Sequence, residues 1–158
     1  MSMKMGGNCP FCRAKTPTTD QEIVKQLRPW VKKGKAWAQT MLGGMYKNGE
    51  GVKQSYTMAI MLYELAIAQD DPVAMYDLAR LYQTGRGVEL SLDRAKELYG
   101  RAAELGDADA QYNLGLMYLN VYQDLANGTK MWIKSAAQGQ EKAKRGLQKL
   151  KLQLKRKT

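Results

Sequence analysis

Histidine is absent from these 158 residues, cysteine occurs twice, and phenylalanine is represented by Phe11 alone. Without histidine there is no Ser–His–Asp or Cys–His nucleophilic arrangement, no zinc-protease helix and no kinase catalytic loop. Two cysteines are too few for a disulfide-rich secreted scaffold. No apolar run approaches the roughly 18 residues of a membrane span, and Met1–Asn8 has no apolar h-region of a secretory signal. These absences lead to the expectation of a cytoplasmic or nuclear protein with no enzymatic activity and no cofactor. A period-2 strand pattern is missing throughout. Hydrophobic residues still make up 44% of the chain, enough for a continuous core in one domain. Tyr, Leu, Met and Ala supply it.

What the chain has is a self-similarity of 36 residues. Ala38, Leu42, Gly43 and Tyr46 align with Ala74, Leu78, Ala79 and Tyr82, and these with Ala110, Leu114, Gly115 and Tyr118. A fixed period of that size marks a solenoid of stacked supersecondary units, an architecture used mostly to bind other proteins.

Within the first unit, residues 36–71, Ala38, Leu42, Met45 and Tyr46 form a helical stripe. Gly49-Glu50-Gly51-Val52 interrupts it, the glycines supplying positive φ. Ser55 is placed to cap a second helix with Ala59, Leu62, Tyr63, Ala66 and Ile67 on one face. The second unit, 72–107, repeats the order: Gly85-Arg86-Gly87-Val88, Ser91 as cap, then Ala95, Leu98, Tyr99, Ala102 and Ala103, closed by Gly106. Acidic residues precede Pro72 and suit the start of the following helix. The third unit, 108–141, keeps its first helix but lacks the Gly-x-Gly-Val turn. It is three residues shorter, so that Trp132 aligns with Tyr99 and Gly139 with Gly106. Flanking the array are a cap helix over 20–35, with Ile23, Leu27, Trp30 and Val31 on one side, and a closing basic helix over 142–158, with Ala143, Leu147, Leu150 and Leu154. Residues 1–19 are expected to be disordered. The predicted fold is all-α: an α/α superhelical solenoid of about three helix-turn-helix repeats between cap helices.

The Gly-x-Gly turns lack the following glycine, the Lys-Ser/Thr and the preceding strand of a phosphate-binding loop, and read as links between helices. The carboxylates Glu64, Glu97 and Glu104 lie among Lys and Arg on helix faces and suggest no acid–base pair.

Ala74-x-x-x-Leu78-Ala79-x-x-Tyr82-x-x-Gly85-x-Gly87-Val88 and Ala102-Ala103-Glu104-Leu105-Gly106-Asp107-Ala108-Asp109-Ala110 closely resemble the pattern of Sel-1-like repeats, relatives of the tetratricopeptide repeats. The likeness spans about residues 20–150. It implies a right-handed α/α superhelix acting as an adaptor in protein complexes, with the first helix of each unit lining a concave groove. Carried onto this chain, that geometry selects rows 36 residues apart: Trp37, Val73 and Asp109; Thr40, Tyr76 and Tyr112; Gly44, Arg80 and Leu116; Lys47, Gln83 and Leu119. Partner-binding residues are accordingly expected among Trp37, Thr40, Val73, Tyr76, Arg80, Gln83, Asp109 and Tyr112, since aromatics and arginine are enriched at interfaces. Leu116 and Leu119 have an alternative use, packing under the last helix.

Cys9-Pro10-Phe11-Cys12 is a single C-x-x-C pair. Structural zinc needs four ligands, so Cys9 and Cys12 become metal ligands only if another chain or a missing domain completes the set. A redox pair needs a strand before it and a helix after it, and neither pattern is present. Cys9-Pro10-Phe11-Cys12-Arg13 resembles the last ligand pair of a RING finger. That likeness implies a truncated or inactive relative of a RING-type ubiquitin ligase, retaining substrate recruitment.

Charge adds a third reading. The formal net charge is +10, distributed as +6 over residues 1–35, −3 over 36–138 and +7 over 139–158. Basic ends admit nucleic acid or an acidic partner, while a solvated helix face plus a frayed tail is the favoured explanation. Three functions therefore remain open: a groove-binding protein adaptor, a ubiquitin-ligase relative without its RING, and a binder of nucleic acid or acidic partners through the basic ends.

Overall fold

The computed structural model describes residues 19–156, apart from the side chain of Leu154. Among the described residues there are eight helices and no strand: α1 (Asp20–Lys32), α2 (Ala36–Asn48), α3 (Tyr56–Ile67), α4 (Pro72–Thr84), α5 (Leu92–Glu104), α6 (Ala108–Asn120), α7 (Leu125–Ala137) and α8 (Glu141–Lys155). Three antiparallel pairs, α2–α3, α4–α5 and α6–α7, carry the main packing. Each second helix also packs on the first helix of the next pair, and α1 and α8 extend that order at the two ends. The expected all-α solenoid is the observed fold.

The cap chemistry follows the sequence. The hydroxyls of Ser55 and Ser91 accept from the amides of Met58 and Arg94, each at 3.3 Å, and start α3 and α5. Asp71 and Asp107 accept from the amides of Ala74 and Ala110 and start α4 and α6. Each such cap satisfies a donor that the helix itself leaves open. Thr19, assigned above to the disordered segment, instead accepts from the amide of Glu22 at 3.3 Å and caps α1. The last helix begins one residue earlier than expected, at Glu141.

Each pair is held by a large residue against a small one. A Cβ on Gly43 would lie 2.8 Å from the Tyr63 ring, and one on Gly115 2.5 Å from the Trp132 ring. Ala79 and Tyr99 share the same core in the second pair. Tyr63 and Tyr99 are fully buried, and each such ring contributes about 1.5–3 kcal/mol through burial. The core holds residues that the stripes did not reveal: Val24, Met75, and the polar Gln39, Thr40, Gln111 and Ser135. Gln39 accepts from the Gln69 amide at 2.9 Å, Gln111 from the Gln138 amide at 2.9 Å, and the Ser135 hydroxyl donates to the Ala108 carbonyl at 2.7 Å. Buried polar groups are tolerable when so paired.

The turns differ between units. Gly49 and Gly85 end α2 and α4 in the left-handed region, and Gly51 and Gly87 follow at φ 66° and 75°. The third link, Val121–Asp124, is shorter. Gln123 occupies the left-handed region there at φ 52°, 36 residues beyond Gly87.

Candidate functional site

The first helices of the units form one face. α2 touches α4 directly, and Lys47 of α2 bridges Asp77 of α4 at 2.6 Å. This is the face on which the partner-binding residues were expected, and the structure sorts them into three groups.

Val73 and Arg80 are exposed, and they are free to meet a partner. Arg80 lies 5.8 Å from the ring centre of Tyr76, a cation–π geometry that holds the guanidinium over the aromatic face.

Trp37, Tyr76 and Tyr112 are half-buried, each ring packed on a second ring from a neighbouring helix. The centroid distances are 5.8 Å for Trp30–Trp37, 5.8 Å for Tyr76–Tyr99 and 5.9 Å for the stacked Tyr112–Trp132 pair. The Trp132 indole also donates to the Tyr112 carbonyl at 3.1 Å. These rings are half-buried and held by their ring partners, so little conformational entropy is lost if a partner covers them. Burial raises the pKa of Tyr76, and the Arg80 charge acts against that shift.

Gln83, Asp109 and Thr40 are committed within the chain. Gln83 accepts from the Tyr99 hydroxyl at 2.8 Å, and the Gln140 amide donates to Asp109. Thr40 is 8% exposed, and its hydroxyl is enclosed with no hydrogen-bond partner. Thr40 therefore belongs to the wall behind the face, not to its surface. Of the flanking positions, Leu119 packs against Gly128 of α7.

Missing from the expected rows is the one containing Asp77 and Asn113, again 36 residues apart. Asp77 carries the ion pair to Lys47. Burial raises the pKa of the nearby Tyr63 hydroxyl, and the Asp77 carboxylate adds to that shift. The 36-residue row rule would have found this row had it been applied to every helical position. At the C-terminal ends of α2 and α4, Lys47, Arg80 and Arg86 surround a polar depression of about 480 Å³. Cations are favoured there because helix C-termini carry partial negative charge.

Among the described residues no group of metal-ligating side chains is assembled, and no helix is long and apolar enough to cross a membrane. Cys9 and Cys12 lie outside the described residues.

The Sel1 repeat family matches residues 38–71, 72–107 and 108–140. No family match falls on Cys9–Arg13, so the RING-like resemblance gains no support. A Sel1 repeat protein from Oxalobacter formigenes is 34% identical with a TM-score of 0.72, the likeness covering 81% of this chain and 98% of that one. The protective antigen c5321 of uropathogenic Escherichia coli, which displays an SLR fold, is 26% identical with a TM-score of 0.79 over 86% of this chain, but the match spans only 30% of the antigen. The immunity protein Pa5087 of Pseudomonas aeruginosa shares the fold at 24% identity and a TM-score of 0.61, with 82% of this chain and 50% of that chain covered. A search of the curated proteins finds no match. With three consecutive units matched in phase and more than half the residues covered, the chain belongs to the Sel1 repeat family.

Proposed function

We propose that this chain is a non-enzymatic adaptor that holds a protein partner along the face of α2, α4 and α6, with Arg80, Val73 and the half-buried Tyr76, Tyr112 and Trp37 as its contacts. Sel1 repeat proteins serve in general as scaffolds for protein–protein interaction, which supports the class of function. The observation that carries the finer reading is Arg80 standing over Tyr76 on an open face whose other rings are held by their ring partners. Aromatic rings held in place beside an exposed arginine are the chemistry of interface anchors. The peptide segment that best suits them carries an acidic or amide group for Arg80 and an apolar side chain for Val73 and Tyr76.

Arg80→Glu combined with Val73→Asp tests this, because both side chains are exposed and their exchange leaves the core intact. Quantitative affinity purification with the two proteins is expected to show specific partners lost from the double variant at unchanged thermal stability. Identical partner sets would remove this face from consideration.

A further inference from the structure

Among the described residues, α8 lacks the cover that α2, α4 and α6 each receive from the helix that follows. Leu78 and Leu81 of α4 are buried beneath α5, and Leu114 and Met117 of α6 beneath α7. Leu147 and Leu150 of α8 stand 33 residues after Leu114 and Met117, in the same role, yet both remain half-exposed. Together with Leu125 and Ile133 of α7 they floor a groove of about 1040 Å³ between the two helices. Ile133 is 56% exposed, and Leu125 is 45% exposed. This is the position a ninth helix would take if the alternation continued.

The rim says what that helix is like. Lys130 and Lys134 stand on the α7 side and Lys151 on the α8 side, with no acidic side chain among the described lining residues. None of these three lysines is ion-paired among the described residues. α8 carries six basic residues against Glu141 alone, +5 in all. A second copy of this chain could offer either this same groove, which is basic on both sides of such a pairing, or α1, the end helix at the other side of the described array. Asp20 and Glu22 against Lys25, Arg28 and Lys32 make that helix +1, of the same sign as the groove. Nucleic acid would satisfy the lysines but leave the leucine and isoleucine floor in water. An aromatic stripe like that of α5 is also disfavoured: Gln148 stands 33 residues after Gly115, where the earlier units place Gly or Ala to receive a ring.

We propose that the groove between α7 and α8 is a docking site for an acidic amphipathic helix of a partner protein, with aliphatic residues in its stripe and carboxylates on both flanks. The site is separate from the α2–α4–α6 face and does not depend on it. The helix lays its stripe on Leu125, Ile133, Leu147 and Leu150, as an amphipathic helix does in a hydrophobic groove. Its carboxylates meet Lys130, Lys134 and Lys151, which set its orientation and speed its association.

The full chain is titrated with a synthetic helical peptide of about 15 residues, with leucines at i, i+3, i+4 and i+7 flanked by glutamates. A second peptide replaces each glutamate by lysine. The glutamate peptide is expected to bind at least about tenfold more tightly than the lysine peptide, and to weaken as salt rises. Ile133→Asp should weaken it about tenfold or more. The double variant Lys130→Glu, Lys151→Glu should reverse the preference between the two peptides, while Arg80→Glu on the other face should change nothing. All substituted side chains are exposed or at the rim, and unchanged melting temperatures confirm the folds. Equal binding of the two peptides, no binding of either, or an affinity untouched by Ile133→Asp overturns the proposal. Displacement of the peptide by oligothymidylate, insensitive to Ile133→Asp, assigns the lysines to nucleic acid and overturns it too. Light scattering that shows a dimer dissociated by Ile133→Asp assigns the groove to a second copy, with the same consequence.

Discussion

The second and third units reach one packing by different means. In the second, Tyr99 fills the space beside Ala79, and a seven-residue link with two left-handed glycines joins the helices. In the third, Trp132 fills the space beside Gly115, and the link shrinks to Val121–Asp124 with a glutamine in the left-handed region. The larger ring is matched by the smaller partner, so the filled volume is preserved while the turn is rewritten. Close-packed interiors require that kind of compensation. The link has only to reverse the chain and deliver a cap, and Asp124 does so by accepting from the amide of Asn127 at 3.0 Å. The volume match is therefore the stricter constraint, and substitutions that strike it should cost more than those that strike the link.

The greatest loss is expected at Trp132. Its ring meets Gly115 on α6, stacks on Tyr112 and abuts Gly146 of α8, where an added Cβ would lie 2.5 Å from the ring. Trp132→Ala should cost about 4 kcal/mol in denaturant unfolding. Trp132→Tyr supplies the residue that the second unit uses, yet it should still cost about 1–2 kcal/mol, because the outer ring that packs on α8 is lost. Equal stability of the tyrosine variant and the wild type would show that α8 does not rely on Trp132.

The links give a smaller contrast, with opposite signs at positions 36 residues apart. Gly87 has φ 75°, and a Cβ there would overlap that of Tyr56 at the start of α3. Gly87→Ala is expected to destabilise by about 2 kcal/mol or more, from left-handed strain and the clash together. Gln123 already bears the left-handed strain at φ 52° and is exposed. Gln123→Gly removes a penalty of about 1–2 kcal/mol and adds unfolded-chain entropy worth about 0.4–1 kcal/mol, leaving a net gain of about 0.5 kcal/mol. A destabilised Gln123→Gly would mean that its side chain holds the short link by contacts of its own.

Much of this is legible in the sequence because the period lines up the same residue types twice. The Ser55 and Ser91 caps, the Tyr63 and Tyr99 stripes and the worn third link could each be checked against a second copy. Residues whose role depends on a partner in another helix were not legible. Gln39 and Gln111 lie outside the apolar stripes, and their burial becomes understandable only when Gln69 and Gln138 are seen to meet them. Ser135 is buried at little cost because its hydroxyl donates a hydrogen bond to the Ala108 carbonyl. The candidate face suffered likewise. Gln83 and Asp109 were selected by phase alone, and phase does not reveal that Tyr99 and Gln140 already occupy them. Leu147 and Leu150 were read as a closing stripe. Only the stacking order shows that nothing within the described chain closes over them.

The finest contrast between the two regions is electrostatic. Asp107 and Asp124 both cap a helix by accepting from the backbone amide three residues on, but their surroundings differ. Desolvation raises the Asp107 pKa, and the backbone hydrogen bond only partly opposes it. At Asp124 the balance is reversed: the backbone and side-chain hydrogen bonds from Asn127 outweigh desolvation and lower its pKa. A folded pKa above the unfolded value means that the native state binds the proton more tightly, so stability falls as pH rises through that range. A depressed folded pKa has the opposite sign: the contribution is present above the unfolded pKa, about 3.9, and is lost as pH falls through the folded one. Asparagine caps about as well as aspartate but does not titrate, so each Asn variant isolates the charge. Wild type measured against Asp124→Asn should gain stability as pH rises through the carboxylate range. Measured against Asp107→Asn it should lose stability, over a range displaced upward. Denaturant unfolding at closely spaced pH values reads both differences, and slopes of the same sign would show that burial does not separate the two caps.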